Sequence, residues 1–198
     1  MKLFLNTTSP YARIARISFE EKIGSDVPGE VVDPWADAPA LLEVNPAARV
    51  PALVTNDGVT LTESLLIVLW LESQRPSPSL LGDSATRTIA KAGVAMGVID
   101  AAVHTLIGRK ITDAGFDEAP VGLRRRRSMV NGLLKLEQDP PTYEAGTPDL
   151  AAITAVVALD YVRFRFPKTE WMPSLPELDA LRNRLSSRPS FEHSVPKQ

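Results

Sequence analysis

Arg75-Pro76-Ser77-Pro78-Ser79 is the stretch that divides the chain. Proline has no amide hydrogen and a fixed φ, so no helix runs through two of them spaced by one residue, and the segment is stiff. Before it, short apolar runs alternate with helical patterns; after it, helical periodicity continues almost throughout. The shift predicts a first domain over 1–76, a linker over 77–83 and a second domain over 84–198.

Reading back from the linker, Leu65 to Leu71 is a strongly apolar helix opened by Glu63-Ser64. Val59–Leu61 and Val50–Val54 are short strands around Asn56-Asp57-Gly58, whose Asp-Gly pair suits a hairpin turn. Pro39–Val44 allows a turn or two of helix, and Glu30–Val32 a strand. Ser9-Pro10 reads as the N-cap and first position of a helix that turns Ile14 and Ile17 inward and stops near Gly24. Leu3-Phe4-Leu5 is a buried strand. The order β-α-β-α-β-β-α predicts a small mixed sheet with helices on both faces.

Reading forward, Ala85–Lys110 is a long Ala-rich helix that could kink at Gly93 or Gly97, and 113–122 is a loop. Leu123–Glu137 is helical. Thr147-Pro148-Asp149 opens a helix over Leu150–Val162 whose composition suits burial on all sides. Leu175–Leu185 is a last amphipathic helix, stopped by Arg188-Pro189. The fold class is an α/β domain followed by an all-helical one.

The chain has 198 residues, 44% hydrophobic and 23% charged, with a net charge of −2. That balance argues against global disorder and against a dedicated nucleic-acid binder, which needs a basic surplus to neutralise phosphates. There are no cysteines, which removes disulfides, thiolate metal sites and a protein-borne thiol nucleophile. Two histidines, His104 and His193, leave a His-rich metal site remote, so no metal is expected. Met1–Asn6 turns polar too soon for a secretory segment, and no stretch approaches about 18 uninterrupted apolar residues, so the expected address is the cytoplasm, without a membrane partner.

Three places could carry chemistry. Ser9 at a helix N-terminus has a plain reading, capping the orphan N–H groups, and on spacing alone that reading leads. The sharper reading is that a hydroxyl there donates to a bound thiolate and lowers its pKa, with the thiol brought by a ligand. Ser9 is a poor covalent nucleophile, since neither histidine lies near it and no G-x-S-x-G elbow exists. Val50-Pro51 is either an edge strand that begins with proline or a cis peptide that presents the Val50 backbone to an extended ligand. Around Glu63-Ser64, either Ser64 or Thr62 caps the helix, or Ser64 and the backbone N–H groups hold a carboxylate and Glu63 an amine. Arg124–Arg127 point around most of a helix circumference and read as a solvated, salt-bridged face. His104 reads as a core or groove histidine, and Trp70 as core.

Taken together, Thr8-Ser9-Pro10-Tyr11-Ala12-Arg13, Asn45-Pro46-Ala47-Ala48-Arg49-Val50-Pro51-Ala52-Leu53 and Leu61-Thr62-Glu63-Ser64 resemble the glutathione transferases, in particular bacterial members that begin S-P-x-x-R. The resemblance spans essentially the whole chain. It implies a thioredoxin-like first domain, a helical second domain, glutathione as co-substrate, and a small hydrophobic electrophile in an apolar pocket against the helices of the second domain. It implies a homodimer and a role in detoxification. Position by position, Ser9 would face the glutathione sulfur, and Val50, before a cis Pro51, would pair through its backbone with the cysteinyl unit. Glu63 and Ser64 would bind the γ-glutamyl amine and carboxylate, Arg49 could reach the glycyl carboxylate, and Asp100 resembles an acid that in some members reaches the partner's glutathione. Isomerisation, peroxide reduction and a non-catalytic binding module share the same ligand site. Two departures stand out: the first helix has no cysteine, and Asp149 with Ala152 replaces the usual capping box of the second domain.

Overall fold

The computed structural model describes residues 1–24 and 27–196, and its contacts divide them into two units. The first holds 1–80, Gly146–Pro148 and the chain from Ser186 on; the second holds Leu81–Ala145 and Asp149–Leu185.

In the first unit the elements run β1 (Lys2–Leu5), α1 (Pro10–Ile23), β2 (Gly29–Val31), α2 (Pro39–Val44), β3 (Ala52–Val54), β4 (Thr60–Thr62) and α3 (Ser64–Gln74). The sheet order is β2-β1-β3-β4, with β1 parallel to β2 and antiparallel to β3, and β3 antiparallel to β4. Alternation along β1 sorts the core onto two faces. Leu3 and Leu5 join Ala12, Ala15 and Phe19 of α1 and Ile67 and Leu71 of α3, with Trp70 partly buried against them. Phe4 joins Val32, Leu41 of α2, Val50 and Ala52 on the opposite face. This is the mixed sheet that the element order predicts, in the thioredoxin-like arrangement that the resemblance implies. Helix α1 ends where Gly24 takes φ +72° and donates its N–H to Glu20 O at 2.8 Å; the left-handed conformation favours glycine there.

The second unit is helical: α4 (Ala85–Ile111), a 3₁₀ turn (Ala114–Glu118), α5 (Pro120–Gln138), α6 (Leu150–Arg165) and α7 (Pro176–Leu185). By length and composition α4 could cross a membrane, but Ala92, Ala95, Val98, Ile99 and Ala102 are buried in this unit. It runs unbroken through Gly93 and Gly97. A Cβ at Gly132 of α5 would come 2.4 Å from Val98 Cγ2, so this crossing depends on glycine. Helix α6 is buried almost all round, as its composition predicts, and Asp149 caps it by accepting from Ala152 N–H at 2.8 Å. The Asp149 carboxylate also takes the Thr88 hydroxyl at 3.2 Å.

Several local expectations need correction. Pro120 opens α5 three residues before the expected start, because proline suits the first helical position. Pro189 likewise starts a further short helix, α8 (Pro189–Glu192), rather than only ending α7. His104 is exposed, its Nδ1 2.6 Å from Asp100 O. Neither Thr62 nor Ser64 caps α3: Glu63 holds the cap position and Ser64 is the first helical residue.

Candidate functional site

Registration of the strands gathers the three candidate loops. Phe4, Ala52 and Thr62 form one cross-strand row on β1, β3 and β4. Beyond that row β1 leads forward to Asn6–Ser9, β3 leads back to Pro51 and Val50, and β4 leads forward to Glu63 and Ser64. All three therefore leave the same end of the sheet. Adjacent strands lie about 4.8 Å apart, so the loops span about 10 Å across the end of the three strands.

Ser9 adopts φ −75° and ψ 120° and caps α1, its Oγ accepting from Ala12 N–H at 3.2 Å. A hydroxyl has one donor and two acceptor positions, so capping leaves the proton for another partner. Among the described residues the Ser9 O–H donates to none. Asn6 holds the turn before it. Its Oδ1 accepts from Thr8 N–H at 3.0 Å and from Thr8 Oγ1 at 2.8 Å, its Nδ2 donates to Val32 O at 3.2 Å, and its carbonyl takes Ser9 N–H at 3.1 Å. The Thr8 hydroxyl proton is thus committed, leaving Ser9 with the uncommitted hydroxyl of the pair.

The Val50-Pro51 peptide bond is cis. Val50 is 8% exposed, yet neither its N–H nor its C=O makes a hydrogen bond among the described residues. A buried backbone pair without partners is uncommon and marks a strip open to an extended ligand. Asn45, itself buried, shapes the turn: its Nδ2 donates to Arg49 O at 2.8 Å and its Oδ1 accepts from Ala47 N–H at 3.1 Å. Ala48 sits at φ +51°. Arg49 is exposed beside this strip.

Glu63 has φ +65°, a conformation that costs energy in a residue with a side chain. Its carboxylate makes no capping bond, so among the described residues the first N–H groups of α3 have no side-chain cap, while Ser64 is only 2% exposed. The start of an eleven-residue helix without a cap suits an anion. Asp100 lies in the second unit, half-buried midway along α4. Among the described residues no three His, Asp or Glu side chains gather as metal ligands.

Residues 8–74, which carry all three loops, match the model of the glutathione S-transferase N-terminal domain. A glutathione S-transferase of Methylobacterium radiotolerans, solved with glutathione sulfonate, is 32% identical and superposes with a TM-score of 0.88 over 100% of this chain and 95% of that one. The chain belongs to the glutathione S-transferase family. A probable maleylacetoacetate isomerase of Caenorhabditis elegans is 32% identical over 76% of this chain and 72% of its own. An uncharacterised GST-like protein of Escherichia coli is 27% identical over 99% and 98%.

Sequence reasoning found Ser9, Val50-Pro51 and Glu63-Ser64 from local signals, but gave no turn-shaping part to Asn6 or Asn45. Each is followed two residues later by an amide that its side chain accepts, the mark of an Asx turn, and that signal was available. It also gave no part to Lys22. This buried ammonium pairs with Glu72 of α3 and donates to Arg75 O, while the Glu72 carboxylate takes Leu80 N–H at 3.0 Å and Ser79 Oγ at 2.7 Å. Burial alone would raise the Glu72 pKa; the Lys22 bond and charge, with the Leu80 and Ser79 donors, outweigh it and hold the group below its ordinary value. This cluster ties α1, α3 and the start of the linker together.

Proposed function

We propose that the protein binds glutathione in its first unit, holds the sulfur as thiolate beside Ser9, and directs it onto a small apolar electrophile. The observation that carries this is the Ser9 hydroxyl, which caps α1 with a lone pair and keeps its proton uncommitted. The partial positive charge at the α1 N-terminus adds to that donor, and both favour S⁻ over SH. A free thiol near pKa 8.5 gains about tenfold in thiolate fraction per unit of downward shift, roughly 1.4 kcal/mol. No protein nucleophile is needed. The thiolate sulfur forms the new bond to carbon; in a substitution the leaving group departs from that carbon with its bonding electron pair, and in an addition the π electron pair moves onto the electrophile and takes a proton from solvent.

The remaining contacts follow the same reading. The Val50 N–H and C=O pair with the cysteinyl unit, Glu63 takes the γ-glutamyl amine, and Ser64 with the uncapped start of α3 takes the γ-glutamyl carboxylate. Arg49 reaches the glycyl carboxylate. The relative solved with glutathione sulfonate supports this ligand. We place the enzyme in the cytoplasm, where glutathione keeps thiols reduced. We also assign it a homodimeric state, supported by exposed Leu66 and Leu69 on α3.

Glutathione-dependent isomerisation is the second reading, favoured by the similarity to a probable maleylacetoacetate isomerase. There the thiolate adds to a conjugated double bond and departs after rotation, so glutathione is not consumed. Retention on immobilised glutathione, followed by turnover of an activated aryl halide with loss of free thiol, supports conjugation. Turnover of a cis-unsaturated diketo acid with thiol conserved supports isomerisation. Neither retention nor turnover would reduce the chain to a binding module with the same fold.

A further inference from the structure

We propose that the C-terminal segment from Arg188 to Ser194 is a positioning clasp for α1, and that Arg13 is the residue through which it holds the Ser9 end of the helix; the catalytic part of this inference rests on the function proposed above. The chain returns to the first unit after α7 and lays α8 against α1. Its partners on α1 are residues 13, 16, 20 and 21, which at 100° per residue fall on one face of the helix. The Arg188 guanidinium grips the Glu21 carboxylate through Nε at 2.8 Å and Nη2 at 2.5 Å, and Ser190 Oγ donates to the same carboxylate at 2.5 Å. His193 Nδ1 lies 3.2 Å from Glu20 Oε1, and Arg16 Nη2 donates to His193 O at 3.3 Å. Arg13 Nε donates to Ser194 Oγ at 3.3 Å, and that hydroxyl donates back to Ser190 O at 2.7 Å.

Burial distinguishes this from a loose surface tail. Arg13 is 5% exposed, Ser190 and Ser194 each 2%, and Phe191 1%. A buried polar group has few alternative partners, so such contacts fix geometry as well as adding stability. The clasp reaches the reacting end directly: Arg13 N–H donates to Ser9 O at 3.0 Å, one helical turn from the Ser9 hydroxyl. The backbone of Arg13 therefore closes the first turn while its side chain is held by Ser194. Thiolate stabilisation by a single hydroxyl depends on sub-ångström placement, so a small axial slip of α1 matters more at Ser9 than in the core.

The test uses full-length Ser194→Ala, which deletes the acceptor for Arg13 Nε, and Ser194→Thr, which keeps the hydroxyl. Two readouts are taken: the ultraviolet thiolate absorbance of bound glutathione against pH, and amide hydrogen exchange at Ala12 and Arg13. In Ser194→Ala the bound thiol is expected to titrate at least about half a unit higher than in wild type. The two first-turn amides should lose protection by about tenfold. Ser194→Thr should restore both. A Ser194→Ala protein that melts earlier, with thiol titration and first-turn exchange unchanged, overturns the clasp as a positioning device. If wild type gives no thiolate signal, the glutathione reading fails by itself, and unchanged exchange in Ser194→Ala would still overturn the clasp. Should Ser194→Ala not fold, Ser190→Ala, which removes one donor to Glu21, replaces it: a raised thiol titration with faster first-turn exchange supports the clasp, and no change in either overturns it.

Discussion

Replacing Ser9 with alanine removes a cap and the proposed thiol donor together. Loss of the Ala12 bond should cost about 1 kcal/mol of stability. Loss of the donor should raise the pKa of bound glutathione and lower kcat/KM by roughly tenfold or more at neutral pH, the two proteins converging as pH rises above the free thiol value. Thermal melts and a pH–rate profile separate the two losses. Ser18, fully buried in α1, has a hydroxyl without a hydrogen-bond partner among the described residues. Ser18→Ala should be neutral or raise the melting temperature, since an unsatisfied buried hydroxyl costs about 1–3 kcal/mol. Single residues were legible in the sequence wherever one residue type served one backbone need: Ser9-Pro10 at a helix start, Gly24 at a helix end, Asp149 as a cap. They were not legible where a side chain acts across the fold, as when Asn6 reaches Val32 O, because that contact leaves no local pattern.

Helices α1 and α3, whose starts both face the site, are joined by the Lys22–Glu72 pair. Lys22→Met leaves the Glu72 charge uncompensated and should destabilise the protein by about 3–5 kcal/mol, measured by denaturant unfolding. The acid limb carries the sign. The folded pKa of Glu72 is below its ordinary value of 4.5, so its contribution is fully present above that value and is lost as pH falls through the lowered folded value. Glu72→Gln should therefore be less stable than wild type near neutrality, with the difference shrinking below about pH 4.5. A difference that grew on acidification would reject this assignment. The elements themselves were legible from their periods and breakers. The uncertain boundaries were those set by proline, at Pro120 and Pro189, where one residue can end a helix or begin one. The capping of α7 was hidden for another reason: its first N–H groups are taken by Glu137, forty residues earlier.

The order β-α-β-α-β-β-α, with a helical remainder, was readable across the whole chain, because each element carries its own pattern. The return of the chain from Ser186 to the first unit was not, since a segment that docks through Arg188, Ser190 and Ser194 has no periodicity to betray it. Sedimentation at micromolar concentration should give twice the chain mass, and Leu66→Glu with Leu69→Glu should halve it by charging the apolar outer side of α3. Whether a borrowed thiol is ionised at Ser9 is decided by titration calorimetry of glutathione in buffers of different ionisation enthalpy near pH 7. Wild type should release close to one proton per glutathione bound and Ser9→Ala clearly fewer, while S-methylglutathione binds without that release. Binding of glutathione with no proton release in wild type would refute ionisation at Ser9.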